Sequence, residues 1–177
     1  MAVYACSDFH GCLKFYKAIK EFLKPEDKVY FLGDAGDRGP EPWETIKAVA
    51  RDSQFVYIKG NHEDLLFDCV NELKMDSIPS HHHFHNGTVK TICQFCVQNE
   101  WIIYDREWRD RIIETMQPIL DFINDNCVEY PEIEDYIFVH GWIPCTTADD
   151  NIYHARKKFG KVNEVWNNPD DPLYAGG

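Results

Sequence analysis

The sequence lacks the features that mark a membrane or secreted protein. No stretch approaches the roughly 18 consecutive apolar residues that span a bilayer. The start, from Met1 to Asp8, has no basic region and reaches an acidic residue too early for a signal peptide. The seven cysteines are an odd number without regular spacing, unlike a disulfide framework. These absences predict a cytoplasmic protein with reduced thiols and no membrane partner.

Positive charge is also scarce. The chain has 18 Lys and Arg residues against 30 Asp and Glu, a formal net charge of −12. Nucleic-acid polymers and anionic membranes are bound through basic surfaces, so neither is expected as a partner. A phosphorylated substrate stays possible if its binding site supplies local positive charge.

The sequence has no Gly-x-Gly-x-x-Gly turn, which argues against a nucleotide-binding module of the Rossmann type. It also has no internal repeat or low-complexity linker, so its 177 residues predict a single domain over 1–177. Two smaller patterns leave an alternative open. Cys93 and Cys96 favour buried positions on a helix, with metal or redox use as the alternative. Arg106, Arg109 and Arg111 favour a solvated helix face, with a second phosphate clamp as the alternative.

What is present is an alternation of apolar strands and amphipathic helices in the first third of the chain. Apolar runs at Val3–Cys6, Val29–Leu32 and Phe55–Ile58 predict buried strands. The periodicity over 13–23 predicts a helix after the first strand, and a second helix opened by Pro40 and Pro42 and carrying Trp43, Ile46 and Val49 is predicted after the second. This β-α-β-α-β order favours parallel strands in an α/β fold. In open sheets of this kind, ligands bind beyond the carboxyl ends of the strands.

The middle of the chain has the periodicity of helices. Roughly residues 64–125 predict a helical insertion against the sheet, with a bend or break near Pro118. The run His81–His85 predicts a solvated loop; lining of a substrate cleft and an independent metal site are the alternatives. Strand character returns at Tyr136–Val139, and a short helix is predicted around 152–159.

Polar clusters follow each of the four predicted strands. They are Asp8-Phe9-His10-Gly11, Gly33-Asp34-Ala35-Gly36-Asp37-Arg38-Gly39, Gly60-Asn61-His62-Glu63 and His140-Gly141. Carboxylate, imidazole and amide groups are a ligand set suited to Mn, Fe or Zn. Each cluster alone is a weak signal, but all four in order at strand ends predict a catalytic metal site.

The four clusters together resemble the calcineurin-like metallophosphoesterases. Within them they are most similar to the phosphoprotein-phosphatase branch, which includes bacterial and phage Ser/Thr phosphatases and symmetrical diadenosine tetraphosphatases. The resemblance runs from Val3 to His140, continues weakly at Trp166–Pro169, and does not include the helical insertion. It implies a central β-sandwich flanked by helices. It also implies hydrolysis of a phosphate ester by a hydroxide that bridges two divalent metal ions (Mn, Fe or Zn, with Mn expected to serve in vitro).

The resemblance further implies the metal ligands. Asp8 and His10 would bind the first metal ion, and Asp34 would bridge both ions through its two carboxylate oxygens. Asn61 and His140 would bind the second ion.

The remaining matched residues would act on the substrate. Arg38 would hold phosphate oxygens with its planar guanidinium. His62 would be the general acid that protonates the leaving oxygen, and Asp37 would orient it and support its charged form. This signature reads only the phosphate, so the substrate could be a phosphoprotein Ser/Thr or a dinucleoside polyphosphate.

One feature of the family has no counterpart in the sequence. The family supplies a further metal histidine in a Gly-His segment well after Val-His-Gly, whereas His154 follows His140 too closely. We therefore expect a chain shortened relative to active members, with a weakly held or absent second metal ion. The alternative function is a non-catalytic or weakly active binding module. The presence of His62, Asp37 and Arg38 favours the hydrolase, because a scaffold needs neither an acid nor a phosphate clamp.

Overall fold

The computed structural model describes residues 1–98, 106–128, 131–133 and 136–140. The chain divides into two compact units, Met1–Val128 and Glu129–Gly177. The first unit contains, in chain order, β1 (Val3–Cys6), α1 (Leu13–Phe22), β2 (Lys28–Phe31), α2 (Pro42–Arg51), β3 (Phe55–Tyr57), α3 (Asn61–Lys74), α4 (His81–Asn86), α5 (Thr88–Gln98) and α6 (Arg106–Asn126). The described part of the second unit contains β4 (Glu132–Ile133) and β5 (Tyr136–Ile137). No helix among the described residues is long and apolar enough to cross a bilayer.

The three strands of the first unit form one parallel sheet in the order β1-β2-β3. Val29 of the central strand pairs with Tyr4 on one side and with Phe55 on the other. The predicted α/β fold with parallel strands is therefore confirmed. Because parallel strands share a direction, the loops that follow β1, β2 and β3 all leave from the same edge of the sheet.

The hydrophobic core lies between this sheet and the helices. Val29 and Phe31 on the central strand are fully buried, and apolar residues of α2, α3, α5 and α6 belong to the same cluster. Trp43 of α2 and Phe95 of α5 meet edge to face with ring centroids 5.3 Å apart. The predicted helical insertion is confirmed, although its helices extend from Asn61 to Asn126. The insertion thus contributes to the main core rather than forming a separate one.

The prediction of a loop at His81–His85 is wrong, and so is that of a break near Pro118, whereas the alternative of a bend there stays a prediction. The run His81–His85 forms most of helix α4, which ends where Gly87 adopts a left-handed φ of 92°, a common way to end a helix. His83 is fully buried, so the run is not a solvated loop. Pro118 lies inside α6 without ending it. Pro118 is on the exposed face, whereas Ile119 on the same turn is buried in the core, so packing outweighs the lost hydrogen bond.

The described part of the second unit is a short antiparallel pair. Ile133 pairs with Tyr136 and Glu132 with Ile137, so the strand predicted to reach Val139 ends at Ile137. The predicted sandwich requires a second sheet, and this pair is the only other sheet among the described residues. The predicted helix over 152–159 and the Trp166–Pro169 segment lie outside them. A single domain over 1–177 stays a prediction.

The Asp52 carboxylate ties the end of α2 to α1. Its Oδ2 accepts a hydrogen bond from the Tyr16 hydroxyl at 2.8 Å and lies 2.8 Å from Lys20 Nζ. Its Oδ1 accepts the backbone N–H of Gln54 at 2.9 Å. Burial acts to raise the pKa of Asp52, but Lys20, the Gln54 N–H and Tyr16 together outweigh it and lower the pKa.

Because the pKa of Asp52 is lowered in the folded state, its ionised carboxylate stabilises the fold. This stabilisation is complete above the unfolded-state pKa near 3.9 and is lost as the pH falls through the folded-state value. We expect Asp52→Ala to lower the free energy of unfolding by about 1–2 kcal/mol at pH 7. Urea unfolding from pH 7 down to pH 3 should show this loss shrinking as the pH falls. The control is Asp125→Ala, at an exposed position on α6. A loss that does not change with pH would contradict the assignment.

Candidate active site

The loops that follow the three parallel strands are bound to one another. Backbone N–H groups of the β1 loop donate to carbonyls of the β2 loop, from Asp8 to Gly33 at 3.0 Å and from His10 to Asp34 at 2.9 Å. The β3 loop approaches just as closely, because a Cβ placed on Gly60 would lie 2.2 Å from Asp34 Oδ1 and 2.8 Å from Asp34 N. A side chain at Gly60 would therefore push the β3 loop away from Asp34.

Five residues predicted for the site have a left-handed backbone. Their φ angles are 58° at Asp8, 40° at His10, 60° at Asp34, 63° at Asp37 and 56° at Arg38. Asp76 is the one other non-glycine residue of the described ranges with a positive φ. Such conformations cost of order 1–2 kcal/mol each, so they persist where surrounding contacts enforce them. Strain concentrated in this way is typical of a functional site.

Three side chains from the three loops come together as possible metal ligands. One ligand atom each of His10, Asp34 and His62 lies within 4.8 Å of the others. Asp34 Oδ2 is 3.7 Å from His10 Nε2 and 3.9 Å from His62 Nε2, and Asp8 Oδ1 is 3.5 Å from His10 Nε2. A mixed set of imidazole nitrogen and carboxylate oxygen suits a divalent transition metal. The residues present therefore fit the metal ions that the sequence predicts.

The His10 ring has neighbours that act on its proton in opposite senses. Nδ1 lies 3.3 Å from the Gly36 carbonyl, which favours a proton on Nδ1 and directs Nε2 toward Asp34. The nearby Asp8 carboxylate raises the pKa of His10, while burial and the Arg38 charge act to lower it. The net pKa lies above the ordinary value for histidine. A metal ion at Nε2 would compete with the proton that Asp8 favours.

His62 and Asp37 form a buried pair. His62 Nδ1 lies 2.6 Å from Asp37 Oδ2, and the two side chains are 2% and 1% exposed. The His62 backbone N–H also donates to Asp34 Oδ1 at 3.0 Å. The carboxylate of Asp37 thus holds the proton of His62 on Nδ1 and leaves Nε2 directed toward the ligand cluster. This is the arrangement in which a carboxylate orients a histidine for proton transfer.

Arg38 brings positive charge to the centre of this cluster. Its NH1 lies 3.3 Å from His10 Nε2 and its NH2 lies 2.9 Å from His62 Nε2. Since guanidinium can only donate, each Nε2 acts as the acceptor in these contacts. The same planar donors can accept a phosphate group in bidentate fashion. An acidic chain therefore has local positive charge at the point where an anion would bind.

Sequence reasoning missed Glu63, the last residue of the Gly-Asn-His-Glu cluster. Its carboxylate is buried and accepts N–H groups from Asp34, Ala35 and Gly60 and the hydroxyl of Tyr57, each at 2.8 Å. Burial and the charge of Asp34 raise the pKa of Glu63. The sequence does contain a signal for this role. Glu63 follows Gly60, the residue just before helix α3, by three positions, which is the spacing of a capping box.

The other predicted residues take three different positions. The Asp8 side chain is 52% exposed beside His10, and Asn61 begins helix α3 next to His62. His140 lies in the second unit, three residues after β5, so its role as a metal ligand stays a prediction. The structure thus joins Asp8, His10, Asp34, Asp37, Arg38 and His62 by contacts, and Asn61 lies next to His62 along the chain.

The structure also bears on the cysteine and arginine patterns noted in the sequence. Burial raises the pKa of the Cys6 thiol to about 11 and that of the Cys96 thiol to about 12, so both are protonated at neutral pH. Cys93 and Cys96 lie on α5 as expected, which favours the packing interpretation. Arg109 forms an ion pair with Asp76, which favours a structural role over a phosphate clamp.

Comparison with known proteins adds an independent finding. A family model described as calcineurin-like phosphoesterase matches residues 1–175. The symmetrical bis(5'-nucleosyl)-tetraphosphatase of Pseudomonas fluorescens (strain SBW25) is 35% identical over 79 residues, which cover 42% of this chain and 28% of the relative. The enzyme of the same name from Pseudomonas entomophila (strain L48) is 40% identical over 68 residues, which cover 36% of this chain and 24% of the relative. The chain thus spans about a quarter of the length of these curated relatives.

Proposed function

The chain belongs to the calcineurin-like phosphoesterase family, and we propose that it is a metal-dependent phosphoesterase. The observation that carries this proposal is the meeting of His10, Asp34 and His62 around the Arg38 guanidinium. These contacts support the proposal, because possible metal ligands, the proposed proton donor and the proposed anion-binding group would share one small volume. A binding module would not need the buried His62–Asp37 pair, so the non-catalytic alternative is less well supported.

The metal ligands are assigned as the sequence predicts. Asp8, His10 and Asp34 would hold one ion, and Asp34, Asn61 and His140 the other. Metal ions bound there supply positive charge to the phosphoryl oxygens and make water a stronger nucleophile at neutral pH. We propose Mn²⁺ as the ion that supports activity in vitro.

The chain's own residues perform the remaining work on the substrate. Arg38 donates hydrogen bonds to the phosphoryl oxygens and neutralises charge that develops on them. When its ring is protonated on both nitrogens, His62 donates the Nε2 proton to the leaving oxygen. Asp37 holds the opposite nitrogen at 2.6 Å and stabilises the ring while it is positively charged. Its burial strengthens this interaction because water does not screen it.

A dinucleoside polyphosphate is the substrate that we favour over a phosphoprotein. The relatives named above are symmetrical bis(5'-nucleosyl)-tetraphosphatases, and a phosphate chain presents several oxygens to metal ions and Arg38. We also propose a cytoplasmic location. The free thiols of the described cysteines support it, since such thiols are usual in a reducing compartment.

The test compares three substrates in the same assay. Diadenosine tetraphosphate, a phosphoserine peptide and p-nitrophenyl phosphate are incubated with the protein in Mn²⁺, in Mg²⁺ and in chelator. We expect Mn²⁺ to raise the rate at least about tenfold over chelator, with diadenosine tetraphosphate cleaved to two molecules of ADP. Asp34→Asn should lose the Mn²⁺ response. Failure of the folded protein to hydrolyse any substrate with any metal would contradict the proposal.

A further inference from the structure

The first turn of α5 packs against the Asp37–Arg38 backbone. A Cβ placed on Gly87 would lie 2.8 Å from Arg38 N, so these backbones are nearly in contact. Lys90 Nζ donates to the Arg38 carbonyl at 2.7 Å. Thr88 and Thr91, on the same part of α5, are fully buried. This turn lies in the helical insertion, at residues well separated along the chain from the strand-end motifs.

Thr91 makes two contacts with one residue. Its hydroxyl donates to Asp37 Oδ1 and accepts the Asp37 backbone N–H at 3.2 Å. A single hydroxyl therefore links the backbone of Asp37 to its own carboxylate. This matters because Asp37 has a left-handed φ of 63°, a conformation that is uncommon outside glycine and that the two bonds to Thr91 support.

Thr88 contacts the other carboxylate oxygen. Its hydroxyl donates to Asp37 Oδ2 at 3.0 Å, and the same oxygen lies 2.6 Å from His62 Nδ1. Each oxygen of the carboxylate thus accepts a hydroxyl from α5, and one of them also holds His62. The carboxylate cannot rotate toward another partner without breaking these bonds and leaving buried polar groups unpaired, which is unfavourable.

We propose that Thr88 and Thr91 are positioning residues that fix the Asp37 carboxylate and, through it, the His62 ring. The proposal rests on the proposed role of His62 as proton donor. Its physical basis is that proton transfer demands a precise donor position, and displacement by about 1 Å can cost about 10²-fold in rate. The helical insertion is then part of the catalytic apparatus as well as of the core.

The first experiment measures how Thr91→Val depends on the leaving group. Phenyl phosphate needs a proton on its departing oxygen, whereas 2,4-dinitrophenyl phosphate does not. We expect kcat to fall about 10- to 100-fold for phenyl phosphate and less than about threefold for the dinitrophenyl ester. Thr91→Ser, which keeps the hydroxyl, should restore most of the loss. Thr88→Val should show the same pattern with a smaller effect, because it removes one bond instead of two.

Two controls separate positioning from a general effect on the fold. Thr45 is a fully buried threonine of α2 whose hydroxyl donates to the Glu41 carbonyl, so Thr45→Val should leave the ratio of the two rates unchanged. In a His62→Asn background, Thr91→Val should cause no further loss with phenyl phosphate. Equal losses on both substrates, or a full additional loss in that background, would overturn the proposal.

A spectroscopic measurement keeps the proposal testable if the chain hydrolyses neither ester. Nitrogen-15 spectra of metal-free protein report which His62 ring nitrogen carries the proton, with His62→Asn used for assignment. We expect a proton fixed on Nδ1 in the unsubstituted chain and in Thr91→Ser, and a mixture of tautomers in Thr91→Val. The same fixed tautomer in Thr91→Val would overturn the positioning role, whether or not the proposed function holds.

Discussion

Replacing His62 with asparagine is expected to lower kcat for phenyl phosphate about 10²–10⁴-fold, the range typical for loss of a general acid. With 2,4-dinitrophenyl phosphate, which leaves without a proton, the loss should be less than about tenfold. The reason is the geometry of the pair, since Asp37 holds Nδ1 at 2.6 Å and directs Nε2 toward the Asp34 cluster. The measurement is steady-state kinetics on both esters at saturating Mn²⁺.

The same variant separates two roles that His62 could have. Its ring nitrogen belongs to the group of possible metal ligands with His10 and Asp34. If His62 acts as the acid, Mn²⁺ affinity measured by calorimetry should change less than about threefold in His62→Asn, a small effect beside the 10- to 100-fold loss that weakening a metal site causes. The matched control is His10→Asn, which should weaken Mn²⁺ binding. Strongly weakened Mn²⁺ binding in His62→Asn would instead identify His62 as a ligand.

Replacing Glu63 with glutamine is expected to lower the free energy of unfolding by about 1–3 kcal/mol, the cost of leaving a buried donor without an acceptor. The carboxylate accepts four hydrogen bonds, from Asp34, Ala35, Gly60 and Tyr57. An amide presents an NH₂ group to donors that need acceptors, so at least one buried N–H loses its partner. Urea unfolding at neutral pH measures the effect.

Glu63→Gln should also disturb the site, because two of its partners belong to the loop that carries Asp34. We expect weaker Mn²⁺ binding in calorimetry although Glu63 is not assigned as a metal ligand. Glu21→Gln, at an exposed position on α1, provides the control for loss of one negative charge. A destabilisation below about 1 kcal/mol, within the range of an ordinary surface substitution, would contradict this account of Glu63.

The sequence was sufficient for the sheet and for much of the site because both follow from local patterns. Apolar runs predicted the three strands, and their shared direction predicted that Asp8, Asp34 and His62 would meet at one edge. In the structure, Asp8 and Asp34 both lie within 4 Å of His10 Nε2, and Asp34 Oδ2 lies 3.9 Å from His62 Nε2. The direction of a strand determines at which edge of the sheet its following loop begins. The positions of residues close to a strand end are therefore the ones best predicted from sequence.

The contribution of α5 could not be predicted in the same way. The periodicity of this helix indicates which face is buried, but Thr88 and Thr91 are polar residues and carry no apolar signal. Their contact with Asp37 depends on how α5 packs, which is settled by residues distant in sequence. The same holds for His83, whose burial in α4 outweighs the preference of a histidine-rich run for solvent. The positions of these side chains depend on tertiary packing, which the local sequence pattern does not reveal.

The bonds to Glu63 have a consequence for how the protein loses its structure. One carboxylate on α3 holds N–H groups of Asp34, Ala35 and Gly60, which belong to the loops after two different strands. If one loop opened alone, the Glu63 carboxylate would be exposed to water or would lose part of its hydrogen bonds while buried. Local opening of one loop is therefore coupled to opening of the other. The two loops and the start of α3 therefore form one cooperative unit. On heating, this unit should melt as a whole, and the site should be lost abruptly rather than loosened by degrees.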